Sequence, residues 1–443
     1  MFSASLLKPI ALLSEGEAPV LAVRICPRPL DSSLPRTSKH LALLLDTSGS
    51  MEGERLDTVK RTIHLLIDAL PVGDSLSILQ YDSTSSFVLR SSCLGTDRLA
   101  VHSAVSGLAA SGGTNLENGI LLLKELLQES AVDSVFLLTD GHINEGLHSG
   151  NALLRILGTR SQNERNNLPP LNTLGFGSDY NIKTLQTLSI ATRGSHTFAD
   201  AAERIPDIIG DIVGGLASEV GNNGTLQIPE GWRCLELGST ESAEGITSYK
   251  VGTLIAEKDQ WVVLEGPLGI RPENIPASLT FTYYVSSVPQ SHTIPIDDRI
   301  TQEEVSEQIC RSLVAATYGK VTDLMEKGKY EEAKVALHAL NASLTSSLAS
   351  RRPFVIRLLA QVDEMLEELQ QPTFRLHAGV APRMASNMVA LGVQRGVVSR
   401  IHTDDPQEST YDDFRSPTQR SASANMTAHY SQQRSSSPHR RRN

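Results

Sequence analysis

Two apolar patterns alternate along residues 39–220. Unbroken apolar runs of strand length, such as Leu41–Leu45 and Val135–Leu138, are followed by stretches with apolar residues at helical spacing. A run without polar interruption suits a strand buried on both faces, as in a parallel sheet covered by helices. The pattern predicts strands at Leu41–Asp46, Ser75–Tyr81, Phe87–Ser91, Val135–Asp140, Leu171–Gly177 and Ser195–Phe198. It predicts helices at Glu54–Leu70, Asp97–Ala110, Leu116–Glu129, Ser149–Leu157, Asn181–Thr192 and Ala201–Ala217. Phe87–Ser91 reads as an antiparallel edge. Such alternation argues for an α/β domain with a doubly wound sheet.

The pattern changes on either side. Residues 221–298 carry short β-rich runs, Thr225–Ile228, Ser248–Val251, Gln260–Leu264, Ser278–Val285 and His292–Ile296, separated by Gly, Pro and charged clusters. They predict a small β-sandwich. Residues 1–38 are irregular apart from one strand, Val20–Ile25, which cannot be stable alone and is assigned to the sandwich. The α/β domain (39–220) would then be an insertion in it. Trp232 and Trp261 are read as core residues. Residues 299–371 are helical, opening on a Thr301-Gln302-Glu303-Glu304 capping box, with leucine stripes that predict a hairpin or bundle. Residues 372–443 are rich in Ser, Gln and Arg, with ten Arg, no Lys and five acidic residues. That composition predicts a disordered tail. Within it, Ser416-Pro417 and Ser437-Pro438 are candidate proline-directed phosphorylation sites, and Arg440-Arg441-Arg442 a weak anion contact.

The net charge of −10 argues against nucleic-acid binding by the folded part. No apolar run approaches the roughly 20 residues of a membrane span. Lys8, Pro9, Glu15 and Glu17 break any signal-peptide core in Met1–Val23, so a cytoplasmic location is expected. Cys26, Cys93, Cys234 and Cys310 are far apart and form neither a zinc motif nor a disulfide framework. Three glycosylation-type triplets, at Asn223, Asn341 and Asn425, are read as chance matches.

Chemistry concentrates where the buried strands end. Leu41–Leu45 runs into Asp46-Thr47-Ser48-Gly49-Ser50, so Asp46, Ser48 and Ser50 alternate on a short loop before a helix. Open α/β sheets place their ligands at the carboxyl ends of strands. Gly112-Gly113-Thr114 presents a hydroxyl before another helix, and Thr139-Asp140-Gly141 ends a second buried strand on a carboxylate. Oxygen-only donors suit a hard cation, Mg²⁺ before Ca²⁺, with Mn²⁺ also compatible. The order D-x-S-x-S, Gly-Gly-Thr, Thr-Asp-Gly resembles the metal-ion-dependent adhesion site of the von Willebrand factor A family. The Gly175-Phe176-Gly177-Ser178 segment and the final helix extend the resemblance over the whole α/β region, whose fold is then a doubly wound, Rossmann-like VWA domain. The layout of domains, with the Gly328–Ala333 connection, is also similar to eukaryotic VWA proteins of the hedgehog/intein-associated type, without the intein-like module.

The resemblance implies that Ser48, Ser50 and Thr114 ligate the metal directly, while Asp46 and Asp140 act largely through water. Neutral hydroxyls quench a divalent ion poorly, so an open position attracts an Asp or Glu carboxylate from a partner protein. The expected function is a metal-dependent interaction module in an intracellular scaffold or adaptor. An extracellular or cell-surface adhesion protein is the alternative. A metal-dependent hydrolase would need a base or nucleophile beside the bound water. His142 is the nearest candidate, and it reads as a solvated loop side chain.

Overall fold

A computed structural model describes residues 2–7, 18–27, 38–140, 143–158, 168–176, 181–199, 205–236, 240–243, 246–270, 274–285, 288–296, 300–370, 384, 386–389, 391 and 416–436. The chain divides into two compact units. One comprises Met1–Ser33 with Glu219–Phe414, the other Leu34–Ser218 with Arg415–Asn443. Strands β1 (Phe2–Leu7) and β2 (Val20–Ile25) open the first unit.

The second unit holds β3 (His40–Asp46), α1 (Glu54–Ala69), β4 (Ser75–Tyr81), β5 (Ser85–Cys93), α2 (Leu94–Ser106), α3 (Leu116–Glu129), β6 (Ser134–Thr139) and α4 (Gly150–Ile156). It continues with β7 (Leu171–Phe176), α5 (Ile182–Ala191), β8 (His196–Ala199) and α6 (Ile205–Ala217). The strands form one six-stranded sheet in the order β5-β4-β3-β6-β7-β8. All neighbours are parallel except β4 and β5, so β5 is the antiparallel edge. Every residue of β3 is buried, because helices cover both faces. Leu43, Leu45, Ile63, Leu66, Val101 and Ile209 share one core. Leu44, Leu79, Ile120, Leu123, Leu153 and Leu185 share the other. Helix α2 begins at Leu94, three residues earlier than the periodicity predicts, because β5 passes into it without a loop and Leu94 N–H donates to the Asp74 carbonyl. It ends at Gly107.

The first unit resumes at β9 (Glu219–Ile228), β10 (Arg233–Cys234), β11 (Thr240–Ala243), β12 (Ile246–Ile255), β13 (Gln260–Glu265), β14 (Ser278–Val285) and β15 (Val288–Pro295). Two sheets result, β1-β2-β13-β10 and β11-β12-β9-β14-β15. Strand β2 lies between β1 and β13, antiparallel to both. Leu21, Val23, Leu226, Leu264 and Phe281 pack between the sheets with Trp232. Strand β1 is absent from the sequence reading; its Phe-Ser-Ala-Ser-Leu-Leu run is short and carries only a weak alternation. Helices α7 (Gln302–Glu326), α8 (Tyr330–Ser346) and α9 (Pro353–Gln370) follow. Thr301 caps α7 with the full reciprocal box to Glu304. Val305 and Ile309 of α7 meet Ala22 and the half-buried Trp261. The buried Arg311 and Glu236 form a bidentate pair, Nη1–Oε2 2.9 Å and Nη2–Oε1 2.5 Å.

In the tail, where composition predicts disorder, residues Pro417–Ser436 form a helix, α10, belonging to the second unit. Ser416, Gln419, Ser423, Met426 and Tyr430 make its buried face, at alternating spacings of three and four. Met426 and Tyr430 join the core that holds Leu43 and Ile209. The Ser437-Pro438 dipeptide and the terminal arginines lie outside the described residues, as do Gly177 and Ser178.

Candidate functional site

Asp46 is the last residue of β3, at the carboxyl edge of the sheet, and only 1% exposed. The chain turns there because its polar groups find local partners. Thr47 N–H donates to the Tyr81 carbonyl (2.8 Å), and Ser48 N–H donates to Asp46 Oδ1 (2.9 Å). A short 3-10 turn, Gly49–Met51, then leads to α1. Met51 is buried and anchors the turn in the core.

A chain of hydrogen bonds links the side chains. Thr139 Oγ1 donates to Asp46 Oδ2 (2.6 Å). Ser48 Oγ and Ser50 Oγ are 3.0 Å apart, and Ser50 Oγ donates to Asp140 Oδ1 (2.8 Å). Asp140 follows β6, and its side chain is fully buried. The structure therefore brings Asp46, Ser48, Ser50 and Asp140 into one cluster. Thr114 stands just before α3, 3% exposed. Its loop is tied to the cluster's loop by Gly49 N–H donating to the Gly112 carbonyl (3.1 Å) and Ser111 N–H to the Thr47 carbonyl (2.8 Å). Asn144 fixes it from the other side: its Oδ1 accepts from Thr114 N–H (2.8 Å), and its N–H donates to the Thr114 carbonyl (3.2 Å). A Cβ on Gly113 would meet Glu145 Oε1, so this glycine lets the Glu145 carboxylate lie against the loop. His142 and Gly141 lie outside the described residues.

Electrostatically the site is short of positive charge. Burial pushes the Asp46 carboxyl up to about 6, and the nearby Asp140 charge adds to the rise, against hydrogen bonds from Ser48 and Thr139. Burial also raises the Tyr81 hydroxyl well above its ordinary value, with Asp46 contributing. Arg55 supplies the one cation seen against the cluster among the described residues: its Nη1 pairs with Asp140 Oδ2 and donates to the Ser50 carbonyl (3.3 Å). Sequence reasoning missed Arg55, Thr139 and Asn144. Arg55 leaves a faint signal, a cation in the first turn of a helix, where the macrodipole favours acids such as Glu54 and Asp57. Among the described residues no group of three or more His, Cys, Asp or Glu side chains is placed to hold a metal. The donors gathered here are two carboxylates and hydroxyls, which suit a hard divalent ion. A desolvated carboxylate pair is the feature a bound cation relieves.

A six-stranded, doubly wound sheet covered by helices on both faces defines a Rossmann-like α/β domain. Residues 41–142 match the model of the von Willebrand factor type A domain family, and the chain carries such a domain. An uncharacterised protein of Synechocystis is 32% identical over 187 residues, 39% of this chain and 43% of that protein. Inter alpha-trypsin inhibitor heavy chain 4 of Mus musculus is 26% identical over 204 residues, 42% of this chain and 21% of its own length. The chain thus spans less than half the length of these relatives. Among solved structures, a von Willebrand factor type A protein from Catenulispora acidiphila superposes with a TM-score of 0.62 at 14% identity, covering 89% of this chain and 95% of its own. The ArnB paralog VWA2 from Sulfolobus acidocaldarius gives 0.56 at 17% identity, covering 88% and 98%. These two similarities concern the fold.

Proposed function

We propose that the α/β unit binds a divalent cation, Mg²⁺ by preference, and through it an Asp or Glu carboxylate of a partner protein. The observation that carries this reading is the hydrogen-bonded cluster of Asp46, Ser48, Ser50 and Asp140, with two buried carboxylates and, among the described residues, Arg55 as the one cation against them. Ser48, Ser50 and Thr114 would be the direct ligands, and Asp46 and Asp140 would act through water. Held mainly by neutral hydroxyls, the ion keeps enough charge to attract a carboxylate at an open position. The role is recognition, with the β-sandwich and helices as scaffold. No helix in the described residues is long and apolar enough to cross a membrane. Cys93 carries an exposed thiol. An exposed thiol of this kind suits a reducing compartment and favours a scaffold acting inside the cell.

The test is capture of partners from lysate on the immobilised full-length chain. Proteins retained in Mg²⁺, released by chelator and lost on Thr114→Ala are the expected result. Retention that ignores both chelator and Thr114→Ala contradicts the reading.

A further inference from the structure

Helix α10 is held against α6 by an unusually close seam. A Cβ placed on Gly210 would lie 2.6 Å from Ser423 Cα, and one on Gly214 would lie 2.5 Å from Gln419 Cα. The two backbones touch because these positions, four residues apart, are glycine. Polar groups complete the seam. Gln419 Nε2 donates to the Asp211 carbonyl (3.2 Å), and Ser423 Oγ donates to Asp207. The start of α10 is specified locally: Ser416 N–H donates to Gln419 Oε1 (2.8 Å), Gln419 N–H donates to Ser416 Oγ (3.2 Å), and Pro417 takes the first helical position.

The same helix grips α1. Tyr430 O–H donates to Thr58 Oγ1 (3.3 Å), and the Arg61 guanidinium lies 5.6 Å from the Tyr430 ring centre. Helix α1 carries Arg55, which holds Asp140, in its first turn and follows closely on the Gly49–Met51 turn that bears Ser50. Met51 of that turn shares one core with Ile209, Met426 and Tyr430. One peptide segment therefore fastens α6 to α1, and α1 carries the edge of the candidate metal site. Helix α6 in turn passes into β9 with only Ser218 between them.

We infer that α10 is an intrachain latch: docked in the groove between α6 and α1, it fixes the two helices and, through α1, the Ser48–Ser50 turn, and its release frees them to move. The make-up of the seam suits a reversible contact. Among the described side chains from Ser416 onward, the buried ones are Ser416, Gln419, Ser423, Met426 and Tyr430, of which only Met426 and Tyr430 are large with apolar bulk. The docked state restricts α6 and α1, so a ligand needing any shift of the turn binds more weakly until α10 leaves. This consequence for binding rests on the metal–carboxylate reading above; the latch itself does not.

The test uses the full-length chain and two variants that attack the seam from opposite sides. Gly210→Ala with Gly214→Ala strengthens α6 as a helix while its methyl groups meet the α10 backbone. Met426→Asp leaves α6 and α1 unchanged. Hydrogen exchange should speed up at least tenfold across residues 417–436 in both variants, with β3 and β6 keeping their protection. In Mg²⁺, an immobilised Gly-Ser peptide with one central Glu should be retained about tenfold more tightly by both. Protection across 417–436 that is unchanged in both variants overturns the latch. So does loss of protection in β3 and β6 along with α10, which would make α10 an ordinary part of the core. Unchanged peptide retention beside faster exchange overturns its control of the site. If neither wild type nor variants retain the peptide, the metal–carboxylate reading fails, and exchange alone decides the latch.

Discussion

Asp46 and His196 are both enclosed in the α/β unit, and burial moves their protonation in opposite senses. Burial raises the Asp46 carboxyl to about 6, so at neutral pH its ionised form opposes folding. His196, with Nδ1 2.9 Å from Thr173 Oγ1, is pushed from 6.5 down to about 3 by burial. Its folded value lies below its unfolded one, so the unfolded chain takes up the proton first as pH falls. The stability held by neutral His196 is whole above pH 6.5 and lost progressively towards pH 3. Between pH 7 and pH 5 the loss is about 2 kcal/mol. Urea unfolding followed by far-UV circular dichroism should show the wild type losing about that much more than His196→Gln over this range. Equal losses would place His196 in a wetter site. At this scale Asp46, Ser48, Ser50, Thr114 and Asp140 are legible in the sequence, because each ends a strand or stands before a helix in a short motif. Thr139 stands in the motif beside Asp140, but its bond to Asp46, like the places of Arg55 and Asn144, depends on tertiary packing that no local pattern encodes.

Elements were legible where burial writes a regular pattern. β3 and β6 are buried on both faces and read as continuous apolar runs, and α3 matches its predicted span, Leu116–Glu129. α10 escaped because its buried stripe is Ser416, Gln419, Ser423, Met426 and Tyr430, whose spacing is helical but whose chemistry is mostly polar. The partner helix held the complementary clue. Gly210, Gly214 and Gly215 read equally well as weak points of a movable helix or as small residues for tight packing. The structure gives Gly210 and Gly214 the second role, against a helix that the composition of the tail does not announce.

For the molecule as a whole, the first strands matter more to the sandwich than to the α/β unit that follows them. Val20–Ile25 had no visible partner in sequence; in the structure it hydrogen-bonds to β13, and Leu21, Val23 and Ile25 are 0% exposed. Deleting residues 1–30 removes β1 and β2, the second of which pairs with β13, and opens that core. Both tryptophans, Trp232 and Trp261, lie in this unit, so their emission should shift red. Limited proteolysis should digest the sandwich and leave a resistant fragment of about residues 34–218. Digestion of the α/β unit with the sandwich intact would reverse the assignment. The central claim, that these oxygen donors hold a divalent cation, is tested most directly by calorimetric titration of Mg²⁺ into the metal-stripped full-length chain, its Asp46→Ala variant and its Arg55→Ala variant. Wild type should bind one ion, Asp46→Ala none, and Arg55→Ala more tightly, by about two- to fivefold, because a half-exposed ion pair of this kind is worth up to roughly 1 kcal/mol. Equal heats of binding for wild type and Asp46→Ala would contradict the account.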